Sequence, residues 1–90
     1  MKRNLLKIDY SRNFNKQLRK APLSIKIRFR ERQKLFMFDR FNPQLKNHLL
    51  IGKYKGYRSI NITGDWRAIF REEENKIIFI ALGTHSQLYK

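Results

Sequence analysis

Two histidines, His48 and His85, are the side chains of this 90-residue chain best suited to exchanging a proton near neutral pH. Around them stand one carboxylate at a turn signal, Asp65, and the cations Lys53, Lys55, Arg67 and Arg71. These groups suffice to split an RNA phosphodiester without a metal. Such a reaction needs a base for the proton of the attacking 2′-OH, an acid for the leaving 5′ oxygen, and cations for the phosphorane. Tyr89, beyond the last expected strand, could stack an unpaired base.

Each of these residues also has a plain structural role open to it. His48 could be a solvated side chain in a basic loop, and Asp65 a turn residue after Gly64. Arg67 and Arg71 could pair with Glu72 to Glu74, which is worth little at a surface. Trp66 fits a core more readily than a stacking platform.

Composition limits what can surround these groups. Ninety residues bury one modest core, so residues 1–90 form a single domain. Without cysteine there is neither a disulfide framework nor a thiolate zinc site, and two histidines make a poor metal cage. No metal and no cofactor is therefore expected, and a reducing cytoplasm is the natural compartment. The start, MKRNLLKIDY, lacks the apolar stretch of a signal peptide, and no segment approaches the roughly 20 apolar residues that span a bilayer.

The net charge of +14 is unevenly spread. Residues 1–58 hold 17 of the 21 Lys and Arg but 3 of the 7 acids, whereas residues 59–90 hold four of each. A basic field of this kind attracts a polyanion through counterion release, with little sequence preference. RNA, the ribosome, DNA, an anionic membrane and an acidic protein all remain open as partners on charge alone.

The elements that must position the site follow from spacing. Leu5 and Ile8 predict a short first strand, ended by Asp9 to Ser11, with Ser11 capping a helix on which Phe14, Leu18 and Ala21 recur. Pro22 opens a second helix with Leu23, Ile27, Leu35 and Phe38 as its buried stripe and Lys26, Arg28, Arg30, Arg32 and Lys34 as its charge. Asn42-Pro43 breaks it, and Gln44 to Lys55 read as a loop carrying Leu45, Leu49 and Leu50 into the core. Three strands follow, about Tyr57 to Ile62, Asp65 to Arg71 and Lys76 to Leu82. The order β-α-α-β-β-β predicts an α+β fold, two helices on one face of a mostly antiparallel sheet, the other face free for work.

Alternation along the strands sets Ile60, Ile62, Trp66, Ala68, Phe70, Ile78, Ile80 and Leu82 under the helices. The opposite face receives Ser59, Asn61, Asp65, Arg67 and Arg71, with Ile69, Ile77 and Phe79 among them. Keeping both sets requires an odd hairpin loop, satisfied by Ile62 to Gly64 with Gly64 left-handed. Asn61 then faces Asp65, Ser59 faces Arg67, and Ile62 sits at the rim of the core.

Three motifs carry a resemblance. K-x-K-G-Y-R at Lys53 to Arg58, G-D-W-R at Gly64 to Arg67 and G-T-H-S-x-L-Y at Gly83 to Tyr89 resemble the C-terminal half of the YafQ-like branch of the RelE/ParE toxins. Asn47 to Gly52, N-H-L-x-x-G, is similar to the loop that holds that family's active-site histidine. The N-terminal half matches in layout, two helices before the sheet. The resemblance implies His48, Asp65 and His85 as proton-transfer or orienting groups, Tyr89 as the aromatic near the scissile base, and Trp66 as a supporting aromatic. It implies further an endoribonuclease acting on mRNA in the ribosomal A site, neutralised by an acidic antitoxin protein, with no membrane partner. Asn61 departs from the family, which has a further histidine there. Asparagine cannot take a proton at neutral pH, so the proton task shifts to His48, Asp65 or His85. The preferred division makes His85 the acid, Asp65 or His48 the base, and sets Arg67 and Lys55 on the phosphate.

Two other functions compete. A gyrase-inhibiting relative would share the fold but generally lacks the histidine of the closing motif. A plain nucleic-acid-binding or membrane-surface module would use the basic second helix and leave His85 unexplained.

Overall fold

The structure, a computed structural model, describes residues 7–90. Leu5 lies outside the described residues, while Ile8 belongs to a strand, β1 (Lys7–Tyr10). Ser11 ends β1 and caps α1 (Arg12–Lys20), its hydroxyl accepting the Phe14 N–H at 3.0 Å, one of the donors every helix start leaves open. Ala21 is extended (ψ 154°), as the residue before a proline must be, and Pro22 then leads into α2 (Leu23–Phe38).

After α2 come single 3-10 turns at Pro43–Leu45 and Gly52–Tyr54, with a two-residue strand between them, β2 (His48–Leu49). Then follow β3 (Arg58–Asn61), β4 (Trp66–Glu73), β5 (Lys76–Thr84) and a one-turn helix, α3 (His85–Leu88). The expected order gains two elements, since the stretch read as a loop contains β2 and the closing motif folds as α3. The sheet runs β1-β5-β4-β3-β2, antiparallel except where β1 lies parallel to β5. No helix of the described residues is long and apolar enough to cross a membrane.

Both long helices pack on one face, and the fold is the α+β arrangement expected. Phe14 of α1, Phe29 and Phe36 of α2, Phe70 of β4 and Phe79 of β5 interlock with ring centroids 5.1–5.6 Å apart. Such tilted and edge-on pairs add to the burial itself.

The structure corrects several details. On α2 the buried residues are Ile25, Phe29 and Phe36; Leu23, Ile27 and Phe38 of the expected stripe are exposed, and Leu35 is partly buried. Apolar residues ring this helix, so spacing alone could not choose between the two stripes. In β5, Phe79 pairs with Phe70 and Ala81 with Ile69, which leaves Ile80 as an extra, bulged residue. The bulge reverses the alternation, so Ile77 and Phe79 enter the helix-covered core in place of Ile78 and Ile80. The bulged Ile80 carbonyl turns to α1 and accepts from Asn13 Nδ2 at 3.0 Å and Ser11 Oγ at 3.3 Å.

The hairpin between β3 and β4 also shifts. Its loop is three residues long but runs Thr63 to Asp65, so Asn61 faces Arg67 and Ser59 faces Ile69. Thr63 Oγ1 accepts the N–H groups of Trp66 (3.1 Å) and Asp65 (3.3 Å), and Gly64 is not left-handed. Ile62 is fully buried rather than at the rim, Leu45 and Leu50 reach apolar clusters, and Leu49 stays exposed.

Candidate active site

Register and bulge together decide which side chains share the uncovered face. One cross-strand row reads His48, Ser59, Ile69, Ala81, and the next reads Asn61, Arg67, Gly83. Directly opposed residues in antiparallel strands point the same way, so each row is a line of neighbours. A small second core forms there from Leu50, Ile69, Ala81 and Leu88, with Tyr54, Tyr57, Ile80 and Tyr89 packed against it.

The closing motif folds back over this face. Thr84 Oγ1 accepts the Gln87 N–H (3.2 Å) while Gln87 Oε1 accepts the Thr84 N–H (2.9 Å), a reciprocal capping box that starts α3 with His85 as its first residue. A side chain at Gly83 would stand 3.1 Å from Gln87 Oε1, so glycine lets the turn close. Leu88 is buried and anchors the turn. His85 and Tyr89 then lie one helical turn apart, with ring centroids 4.7 Å apart. The His85 N–H donates to the Asp65 carbonyl at 3.1 Å, which ties the β3–β4 loop to α3.

The 3-10 turn at Gly52–Tyr54 supplies the other wall. Gly52 (φ 71°) and Gly56 (φ 90°) take left-handed conformations on either side of it. Lys53 Nζ donates to the Leu88 carbonyl (3.3 Å) at the end of α3. Tyr54 stands edge-on to Tyr89 (5.7 Å, 90°) and near Tyr57 (6.4 Å), so aromatic rings run from the turn to His85. Burial pushes the Tyr89 phenol above its ordinary value of 10.0; the Arg67 cation pulls it down and Tyr54 adds a smaller upward push. Arg67 is therefore electrostatically coupled to the Tyr89 hydroxyl.

Beside Arg71 Nε, which lacks a hydrogen bond but has the Glu73 carboxylate at 3.0 Å, two buried polar atoms on this face have neither a hydrogen bond nor an ion pair. Ser59 is fully buried with its Oγ unbonded, and the buried Nε of Arg67 is likewise without a hydrogen bond. Leaving such groups unpaired is costly, and it is tolerated most readily where a ligand uses them. His48, exposed at the sheet edge, has its Nδ1 2.7 Å from the Lys46 carbonyl. A carbonyl only accepts, so that contact requires a proton on Nδ1.

His85, Tyr89, Arg67 and Asn61 thus gather at one end of the open face, with Asp65 joined to them through its backbone. His48 lies one row away on β2. Lys55 is exposed, next to Tyr54. Two expected site residues stand apart, and a third, on the wall of the site, is already engaged. Trp66 packs on the helix-covered core, on the other side of β4. Arg71 lies farther along β4 in an ion pair with Glu73 (3.0 Å), the pairing its surroundings allowed for. Lys53 is committed to the Leu88 carbonyl. Sequence reading had missed Tyr54, Thr84 and Gln87. The Thr-x-x-Gln spacing of a capping box was available as a signal for the last two, whereas nothing local marked Tyr54.

Residues 6–90 match the family described as bacterial toxin of type II toxin-antitoxin system, YafQ. Over 44 residues the chain is 36% identical to the mRNA interferase toxin YafQ of Escherichia coli K12, a stretch that covers 49% of this chain and 48% of that protein. The chain thus spans about half the length of the curated relative it matches. The crystal structure of YafQ from E. coli BL21(DE3) superposes with a TM-score of 0.80 at 24% identity, covering 94% of this chain and 99% of that one. A chain of the E. coli DinJ-YafQ toxin-antitoxin complex superposes with a TM-score of 0.73 at 24% identity, covering 94% and 98%. Because that family's pattern matches from residue 6 through residue 90, this chain belongs to the YafQ family of toxins of type II toxin-antitoxin systems.

Proposed function

We propose that the chain is an endoribonuclease toxin that cuts mRNA in the ribosomal A site and is neutralised by an acidic antitoxin protein. The observation that carries this is the flanking of Arg67 by two histidines. In the sheet order His48 on β2 and His85, which follows directly on β5, come on opposite sides of β4, the strand that carries Arg67 with its buried, unpartnered Nε. Displacement at phosphorus runs in line, so base and acid belong on opposite sides of the phosphate. From β2 to β4 is two strand spacings, about 10 Å, enough room for a phosphodiester between His48 and the strand of Arg67.

The hydrogen bonding supports a division of labour. With its Nδ1 proton held by Lys46, His48 presents a free Nε2 lone pair and acts as the base toward the 2′-OH. His85 delivers a proton to the 5′ oxygen, and Arg67 meets the phosphorane with Lys55 and Asn61 beside it. The reaction as written moves two protons and needs no metal or cofactor. Tyr89 stacks the base next to the scissile bond, while Asp65 acts as a positioning residue through the His85 N–H. Few groups suffice if the ribosome holds the substrate in line, since positioning alone supplies much of the acceleration. The partner follows from the likeness to a DinJ-bound toxin together with the +14 charge.

The pH profile of mRNA cleavage in a reconstituted translation system tests this. Loss of a base removes the acidic limb and loss of an acid removes the alkaline one. His48→Ala is expected to flatten the former and His85→Ala the latter. Unchanged profiles in both variants would refute the assignment, and loss of DNA supercoiling with intact mRNA would favour a gyrase inhibitor.

A further inference from the structure

The outer side of α2 carries a pattern that the candidate site does not use. Leu23, Ile27, Arg30, Lys34 and Met37 follow one another at steps of four, three, four and three, the repeat that lines one helix against another. The apolar members are bare, with Leu23 70%, Ile27 53% and Met37 55% exposed, and Phe38 beside them 89% exposed. Four large apolar side chains left bare along one helix are more than a single domain usually leaves uncovered on so short a surface. The row is apolar at both ends and cationic at its centre. Among the described residues neither Arg30 nor Lys34 has a carboxylate in ion-pair range, and Glu31, the only acid of α2, is paired with Arg28 at 3.4 Å.

We infer that this row is the docking seam for an amphipathic helix of a protein partner, with apolar residues at its two ends and acidic residues at its centre. Burying Arg30 and Lys34 beneath a helix is favourable only if carboxylates meet them there. A second copy of this chain fails that requirement, because a symmetric pairing that matches Leu23 with Met37 sets Arg30 against Arg30. A membrane fails it too, since inserting the apolar ends would carry the central cations into the acyl region. Nucleic acid could meet the two cations but has no use for Leu23, Ile27 and Phe38. Under the toxin function proposed above, on which this step rests, the acidic antitoxin is the natural source of such a helix.

The test uses the whole chain and two synthetic peptides of about five helical turns. Both carry leucine at the seam ends, one with glutamate and the other with lysine at the two central seam positions. Fluorescence anisotropy is expected to show saturable binding of the glutamate peptide alone. The double substitution Arg30→Glu and Lys34→Glu should weaken that binding by roughly tenfold or more and transfer it to the lysine peptide, as charge complementarity requires. Ile27→Ser should weaken both pairings, with thermal unfolding confirming that each variant stays folded. Equal binding of the two peptides, no saturable binding, or indifference to Ile27→Ser would overturn the seam. So would dimerisation in sedimentation, or binding to phosphatidylserine vesicles, that Ile27→Ser abolishes. Cleavage of mRNA by the chain without peptide is scored separately. Its absence beside intact peptide binding refutes the nuclease function alone, and its presence beside failed binding refutes the seam alone.

Discussion

On the covered face of the sheet five phenylalanines close on one another among other apolar side chains; on the open face a smaller cluster of Leu50, Ile69, Ala81 and Leu88 lies beside an unbonded Ser59 hydroxyl and an unbonded Arg67 Nε. The same strands build both, because alternate residues of β3, β4 and β5 point to opposite sides. One face therefore spends its contacts on stability and the other keeps polar groups available. The difference explains how a domain of this size can tolerate unsatisfied atoms, since the phenylalanine core is insulated from them.

Substitutions at the two faces should separate these roles. The largest effect is expected for Phe79→Ala, which removes a ring touching Phe14, Phe29 and Phe70. A loss of about 3–5 kcal/mol is expected for such a deletion, and denaturant unfolding measures it. Folding and activity should fall together; a shift under about 1 kcal/mol would show the covered face to be looser than described. His85→Ala should do the reverse, lowering cleavage by roughly 10²–10⁴-fold, the usual range for removing a proton-transfer group, while the unfolding midpoint hardly moves.

A third substitution probes the coupling within the open face. Burial raises the Tyr89 phenol and Arg67 lowers it, so Arg67→Ala should push its ionisation higher still, read by ultraviolet titration. A fall would break the coupling. The fold favours the neutral phenol, so its contribution to stability is complete below the ordinary value of 10.0 and is lost as pH rises through the higher folded value. Thr84→Ala should cost about 1 kcal/mol by removing the cap of α3 and should loosen His85 with it. The smallest stability change is expected for Ser59→Ala, because the hydroxyl it removes has no partner to lose. If that hydroxyl serves the substrate, cleavage drops while unfolding is unchanged.

Much of this molecule was legible in its residues. The Ser11 cap, the proline between α1 and α2, the strands from β3 to β5 and the grouping of Asn61 with Arg67 follow from local chemistry and alternation. The closing motif, with the Lys53 to Arg58 and Gly64 to Arg67 motifs, pointed to the family. The misjudged faces of α2 and β5 share one cause, an excess of equivalent apolar choices. α2 has two apolar stripes, and the run Ile77 to Leu82 has no polar residue to mark a face.

By itself, then, the sequence determined which chemistry was on hand, a pair of histidines among cations, and which of the longer segments would be helix or strand, because both depend on residue type and near neighbours. Tertiary structure alone decided which stripe of α2 is buried, where β5 bulges, and that Tyr54 stands beside Tyr89. Those outcomes depend on which surfaces meet across the sheet, and residues far apart in the chain settle them together.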